Sequence, residues 1–254
     1  MVKLIKADIY RYLRSPFMYS VCGALVVGIT LVMLSAKGTL NINIVELRGI
    51  TRVEMINLIC DFNAFTFFFY LMMIFGVVLV EEYGNRSLKN LISSSVSRTK
   101  IFFSKFIVQV ILAYIVATIC MIIFLLLLSL LEPGEGYNKE LIIEFIKRFY
   151  ISTIPYIGGI SIVNFLGVIF KKQSIVCIIY YFILMQISNV IYIIERTVWS
   201  GIGKVQWIFL STQVGDISTL FSGWGELPKV FTVSLCYIIL FTADSVSIYK
   251  KQEA

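Results

Sequence analysis

The sequence predicts an all-α, polytopic membrane protein with six transmembrane helices. Hydrophobic residues make up 59% of the 254 residues and charged residues only 15%, whereas a soluble domain is about 45–50% apolar. The mean hydropathy is +0.89, and the apolar residues fall in long runs that only four prolines interrupt. A bilayer accommodates such runs as helices of roughly 20 residues, because backbone polar groups in lipid must pair within the chain.

An amphipathic interfacial helix is predicted for residues 2–14. Its apolar residues recur at helical spacing while lysines and arginines occupy the opposite face, a pattern typical of helices that lie on a membrane surface. Ser15 followed by Pro16 then predicts an N-cap and the first position of a new helix.

Six apolar runs predict the membrane spans within a single domain, 1–254. They cover about 17–36, 62–80, 106–131, 149–170, 174–194 and 230–248. Pro155 predicts a kink or a loosened turn in the fourth span, and residues 171–173 form a minimal turn after it. Residues 195–229 mix polar, glycine and aromatic residues, which predicts a re-entrant or interfacial outer segment. Its tryptophans, typical of membrane interfaces, are Trp199, Trp207 and Trp224.

The distribution of basic residues predicts that both termini are cytosolic. With alternating spans, the inner segments are 1–16, 81–105, 171–173 and 249–254. The outer segments are 37–61, 132–148 and 195–229. The inner segments carry 13 Lys and Arg in 50 residues, and the outer segments carry nine in 77. Since basic residues concentrate on the cytosolic side, this assignment is favoured, with the bacterial cytoplasmic membrane as the expected location.

Residues 81–105 carry the most informative local pattern. Gly84-Asn85 predicts a break followed by an N-cap, and Leu88, Leu91, Ile92 and Val96 follow at helical spacing. The resulting amphipathic helix is too polar to span a membrane, and Ser97 caps a further helix that leads into the third span. Two interpretations stay open: a surface helix held by lipid headgroups, or a docking element for a cytosolic partner.

The opening LIKADIYRYLRSPF, the block EYGNRSLKNLISSSVSRTKIFFSK and the six-span layout together resemble a known family. They resemble the permease subunit of ATP-binding-cassette (ABC) exporters of the type-2 class, notably small bacterial members similar to bacteriocin-immunity and peptide-toxin exporters. The resemblance implies a coupling helix at 85–100, set in a separate ATPase subunit. It also implies a unit of two permease chains, identical or different, and two ATPase chains, with ATP and Mg bound by the ATPase.

The resemblance carries docking roles onto particular residues of the coupling helix. These are Asn85, Arg86, Leu88, Lys89, Leu91, Ile92, Val96, Arg98 and Lys100. Glu81 and Glu82 end the second span, and they are expected either to support docking or to be solvated. As supports, they would pair with Arg98, with Lys100 or with basic residues of a partner.

No catalytic or metal site is predicted on this chain. Histidine is absent, and the five cysteines form no C-x-x-C pair, which removes most zinc sites and histidine-based catalysis. There is no G-x-x-x-x-G-K-S/T phosphate loop, so ATP is expected on the partner.

The alternative functions fit the sequence less well. An intramembrane hydrolase would need a nucleophile with its base, which the sequence lacks. An ion-coupled carrier lacks a midplane acid, since Asp244 lies about one turn from the cytosolic end. A membrane assembly or sensor protein stays open, and no nucleic-acid partner is expected.

Polar residues inside the spans have two possible roles. Gln109, Asn164, Gln186 and Asn189 are expected either to bond across helices or to line a translocation path. The cluster around Phe65 to Phe69 favours packing or lipid contact over cargo binding. The apolar, aromatic spans favour an amphipathic or hydrophobic cargo, and the resemblance favours a peptide over a lipid, a drug or an ion.

Overall fold

A computed structural model describes residues 1–37, 49–61, 64–84, 97–197, 205–219, 225 and 227–251. All regular secondary structure within these residues is helical. The predicted all-α fold class is therefore confirmed.

The first two helices match the predicted bounds closely. Helix α1 spans Val2–Leu13 and α2 spans Pro16–Ala36. Ser15 is the N-cap of α2, and its hydroxyl accepts a hydrogen bond from the Met18 N–H at 3.2 Å. With proline at the first helical position, both predicted start signals are confirmed.

The described residues of the second predicted span, 62–80, form consecutive helical segments with a 3-10 turn between them, and a helix that was not predicted precedes them. Helix α3 spans Arg52–Asp61, α4 spans Ala64–Leu71, a 3-10 segment spans Met72–Gly76, and α5 spans Val77–Gly84. The helix Arg52–Cys60 lies at 52° to Phe65–Glu81. Helix α3 begins at a capping box, in which the Thr51 N–H and hydroxyl donate to the Glu54 carboxylate at 2.8 and 2.9 Å.

Two long helices extend well beyond their predicted spans. Helix α6 spans Arg98–Leu128 and α7 spans Lys139–Phe170, so they begin eight and ten residues before the predicted third and fourth spans. Ser97 is the N-cap of α6, as predicted, although its side chain makes no capping bond. Helix α7 continues through Pro155 without interruption.

The predicted turn at 171–173 is confirmed. Lys171 ends α7 in the left-handed conformation, with φ 55°, and its N–H donates to the Gly167 carbonyl at 3.0 Å. Helix α8 then spans Gln173–Thr197.

The remaining described helices are α9, Leu210–Thr219, and α10, Leu227–Lys251. At ten residues, or about 15 Å, α9 is too short to cross a bilayer. It packs against α3, α4 and α7, in the region predicted to be re-entrant or interfacial. Trp207 is 48% exposed, while Trp199 and Trp224 lie outside the described residues.

Four helices, α2, α6, α7 and α10, are long and apolar enough to cross a membrane. The bent pair formed by α3 and Phe65–Glu81 makes a fifth if it counts as one span, and α8 contributes the shorter apolar stretch Gln173–Leu184. The chain is thus a multi-pass membrane protein, and the count of six spans stays a prediction.

Helix α7 is the centre of the bundle and α2 lies at its edge. Of the apolar window of α7, 72% is buried within the protein, against 11% for α2. Glycines permit this packing: a Cβ at Gly159 would lie 2.6 Å from the Tyr180 hydroxyl, and one at Gly167 would lie 2.9 Å from Val80. The exposed surface of α2 is therefore available to lipid or to another chain.

Candidate partner-docking site

The predicted docking segment is bounded by the end of α5 at Gly84 and the start of α6 at Arg98. Arg98 and Lys100 lie in the first turn of α6, continuous with the third span. The last three residues of the expected coupling helix over 85–100 therefore belong to α6 instead. Ser97 separates the two, because its backbone is extended, with ψ 142°. The other predicted docking residues lie outside the described residues: Asn85, Arg86, Leu88, Lys89, Leu91, Ile92 and Val96.

Helix α1 bridges the two helices that flank this segment. Toward α5, the Tyr12 hydroxyl donates to the Glu81 carboxylate at 2.7 Å, and the Arg11 guanidinium lies 3.1 Å from the same oxygen. Toward α6, the Lys105 ammonium donates to Asp8 Oδ1 at 2.9 Å and lies 2.9 Å from Oδ2. The flanking helices are thereby held to one common element.

The observed partners of Glu81 differ from the predicted ones. Arg98 and Lys100, which are close in sequence, are among the expected partners, whereas the structure pairs Glu81 with Arg11 and Tyr12 of α1. The reason is that α1 folds back along α6 and α2 and brings its basic face to the end of α5. The side chain of Glu82 lies outside the described residues.

The two bridges of α1 differ in burial and therefore in strength. The Lys105 and Asp8 side chains are 4% and 11% exposed, whereas those of Arg11 and Glu81 are 46% and 40% exposed. An exposed pair contributes at most about 1 kcal/mol. A buried pair costs desolvation, and its good geometry and hydrogen bond offset that cost only while both partners remain.

Tyr12 acts as a permanent hydrogen-bond donor in this bridge. Burial, and then its hydrogen bond to Glu81, raise the pKa of the Tyr12 phenol well above its usual value of 10. The phenol therefore stays protonated at physiological pH and keeps donating to the carboxylate.

Helix α10 and the turn after α7 reach the same end of the bundle. The Arg98 guanidinium donates to the Lys250 carbonyl at 3.0 Å. The Tyr249 ring lies 5.8 Å from that of Phe102 and 6.4 Å from that of Tyr83, centroid to centroid. The Lys171 ammonium lies 5.6 Å from the centroid of the Tyr83 ring. The predicted inner segments 1–16, 171–173 and 249–254 therefore each contact 81–105, and we call these contacts the docking frame.

The predicted outer segments contact one another at the opposite end of α6. The Arg52 N–H donates to the Glu132 carbonyl at 2.8 Å, and its side-chain Nε donates to the Leu131 carbonyl at 2.8 Å. The Arg148 guanidinium donates to the Ser218 carbonyl at 3.3 Å. This is the grouping of segments that the alternating topology predicts.

Two of the four predicted span amides bond to each other. Gln109 of α6 and Asn164 of α7 exchange two hydrogen bonds, at 2.8 and 2.7 Å, and are 0% and 1% exposed. The expected bonding across helices is thus observed for this pair. Gln186 is exposed, and the side chain of Asn189 lies outside the described residues. A role of these amides in a translocation path stays a prediction.

Gln109→Leu is expected to destabilise the protein by about 1–2 kcal/mol, because it leaves the Asn164 amide buried without its partner. The double variant Gln109→Leu/Asn164→Leu should recover most of this loss, since no unpaired amide remains. Unfolding of the purified protein by titration with sodium dodecyl sulfate measures both. Additive losses in the double variant would contradict the paired-amide interpretation.

A row of side-chain donors that was not predicted binds backbone carbonyls of the second span. Tyr156 donates to the Phe65 carbonyl at 2.8 Å, and Tyr180 donates to the Phe69 carbonyl at 3.0 Å. Gln173 donates to the Met73 carbonyl at 2.8 Å. These carbonyls lie four residues apart on one helix face. Because the donors come from α7 and α8, no local sequence spacing indicates the arrangement.

The distorted part of this span needs such support. In an α-helix the Met73 carbonyl would accept a hydrogen bond from the Val77 N–H. Here the backbone N–H groups at Val77, the C-cap of the 3-10 segment, donate to the Ile74 and Phe75 carbonyls instead. A 3-10 turn has poorer hydrogen-bond geometry than an α-helix. The Gln173 amide supplies a donor at the position where the α-helical one is lost.

Comparison with known proteins identifies a family. A family model described as "ABC-2 family transporter protein" matches residues 4–189. The match covers most of α1 through most of α8, including the predicted docking segment, and leaves out α10. A search of curated proteins found no match. Within the described residues, no group of three His, Cys, Asp or Glu side chains is placed to hold a metal ion.

Proposed function

We propose, because the chain belongs to the ABC-2 family of transporter proteins, that it is the permease subunit of an ATP-driven exporter in the bacterial cytoplasmic membrane. The match over residues 4–189 is the observation that carries this proposal. The family makes the chain a transmembrane transport subunit rather than a catalytic one. ATP and Mg bind a separate ABC ATPase.

The ATPase docks at the docking frame, which faces the cytosol. Basic residues concentrated in the inner segments favour this side of the bundle. The 85–96 segment enters the ATPase, and α1, α6 and α10 hold the two ends of that segment in place. Because α6 starts at Arg98 and continues without a break through the third span, a movement of the segment reaches the membrane directly.

The cargo is an amphipathic or hydrophobic molecule, with a peptide as the first candidate. Gln109 and Asn164 favour this class, since they are bonded to each other and offer no hydrated route for an ion. Two permease chains act together with two ATPase chains. The apolar windows of α2 and α10 are only 11% and 17% buried, which supports a second permease chain as a neighbour in the membrane.

The test is co-purification of the tagged chain from its native host in a mild detergent. We expect a stoichiometric ABC ATPase, and we expect Arg86→Glu/Lys89→Glu or Leu91→Pro to weaken its binding at least about tenfold, or 1.4 kcal/mol. The reversal turns attraction into repulsion, and proline breaks the helix.

A matched control is the double reversal Lys37→Glu/Lys139→Glu, at the outer end of the bundle. Both lysines are exposed, so this variant should retain the ATPase fully. If the 85–96 variants keep full binding, that segment is only a surface helix. If no ATPase co-purifies with the unmodified chain, a membrane assembly or sensor protein becomes the better description.

A further inference from the structure

An apolar cleft of about 440 Å³ lies between α2 and the rest of the bundle. Its walls come from α2, α3, α4, α6 and α7. The side chains that shape it include Gly28, Met33, Phe68, Met121, Phe124 and Phe149. None of the described residues that line it carries a charge, an amide or a hydroxyl group.

Small residues of α2 create this space. Ala24 and Gly28 face the cleft, one helical turn apart. A Cβ built at Gly28 meets no atom within 4 Å. The cleft therefore depends on the small side chains on this face of α2, and larger side chains at these positions would close it.

The size of the cleft selects its occupant. A helix with side chains is about 10–12 Å wide and rises 5.4 Å per turn, so one turn occupies roughly 420–610 Å³. A membrane-spanning helix of about 20 residues has more than five turns, so the cleft is too small to enclose one from a second chain. Water is also excluded, because purely apolar cavities stay dry. A thin hydrocarbon chain entering from the bilayer fits both limits.

A charged pocket of about 270 Å³ adjoins the cleft and shares Phe145 with it. It is lined by Asn57, Glu144, Arg148 and Ser218, among others, and Arg148 forms an ion pair with Glu144. One positive and one negative side chain therefore stand beside an apolar cleft. This combination matches an amphiphile whose headgroup carries both a phosphate and an ammonium group.

We propose that the cleft binds one acyl chain of a zwitterionic bilayer phospholipid, with its headgroup at Arg148 and Glu144. The phosphate lies toward Arg148 and the ammonium toward Glu144. This lipid site concerns the membrane-embedded part of the chain alone, so it stands or falls independently of the proposed ATPase and cargo.

The test uses the full chain in nanodiscs of phosphatidylethanolamine that contain a tracer of the same lipid with a diazirine in one acyl chain. After irradiation, mass spectrometry locates the labelled residues. We expect labelling at Met121, Phe124 and Phe149. Gly28→Phe or Ala24→Phe fills the cleft and should reduce this labelling on the order of tenfold, because the rings occupy the space of the chain.

The matched control is Gly23→Phe, because Gly23 also has open space around it but does not line the cleft. It should label like the unmodified chain. Since two variants fill the cleft, a folding failure in one, seen by size exclusion, leaves the other to decide. A diazirine tracer of phosphatidylglycerol, which lacks the ammonium, should label the cleft less than the phosphatidylethanolamine tracer does.

Several outcomes would overturn the proposal. Equal labelling of the Gly28→Phe and Gly23→Phe proteins would mean that the lipid contacts only the outer surface. A disulfide between two copies of a Gly28→Cys variant would place a second chain over the cleft. Cross-linking of the cleft to residues 38–48 would assign it to a segment of this chain. Equal labelling by the two lipid tracers would overturn the assignment of the headgroup.

Discussion

Replacing Asp8 by leucine is expected to destabilise the protein by about 3–5 kcal/mol, because it removes the carboxylate from a buried ammonium. The Lys105 side chain is only 4% exposed, so water cannot replace the lost partner. The same variant should release α1 from α6, and limited proteolysis should then cut within residues 2–14. Titration with sodium dodecyl sulfate in mild detergent measures the change in unfolding free energy.

Two further variants test the cause of this loss. Asp8→Leu/Lys105→Met removes both charges and should recover most of the stability, since apolar replacement of a whole buried pair is close to neutral. Arg11→Leu removes a half-exposed pair of the same helix and should cost at most about 1 kcal/mol. If the double variant is as unstable as Asp8→Leu, the pair is not the source of the effect.

Gly159→Ala is expected to destabilise the protein by about 1–3 kcal/mol through overpacking. The added methyl group would lie 2.6 Å from the Tyr180 hydroxyl and 2.9 Å from the Phe69 ring. Tyr180 is fully buried and donates to the Phe69 carbonyl, so its displacement also costs a hydrogen bond. Thermal unfolding in detergent should show a lower midpoint.

Gly23→Ala is a control for which the expected change in stability has the opposite sign. Nothing lies within 4 Å of a Cβ at Gly23, and alanine favours a helix over glycine by about 0.8–1 kcal/mol. This variant should therefore be slightly more stable than the unmodified chain. A gain in stability for both variants would mean that α7 packs less closely than the structure indicates.

Hydropathy predicts the membrane helices well and their full lengths poorly. The bounds of α2 follow closely because Ser15 and Pro16 are local start signals. The predicted third and fourth spans begin later than α6 and α7, because an apolar window detects the lipid-embedded part and stops at the charges between Arg98 and Lys105 or between Lys139 and Arg148. The start of α6 itself follows from Ser97, its predicted N-cap. Helix α3 was missed although Thr51 and Glu54 carry its capping signal.

The position of the candidate site follows from the sequence, whereas its internal contacts do not. The pattern at 81–105 locates the segment, and charge counting groups the inner segments that the structure brings together. The partner of Lys105 lies 97 residues away in α1, and no periodicity connects the two positions. Glu81 was matched to Arg98 and Lys100 by proximity in sequence, but the folding back of α1 placed Arg11 and Tyr12 beside it.

The length of α6 has a mechanical consequence. Its 31 residues form a rod of about 46 Å, which exceeds the hydrocarbon thickness of about 30 Å. One end lies in the docking frame and the other adjoins Leu131, whose carbonyl Arg52 holds. For a lever of this length, a tilt of about 10° at the frame displaces the far end by roughly 8 Å. A small tilt of α6 at one membrane surface thus moves its other end, at the opposite surface, by nearly the width of a helix.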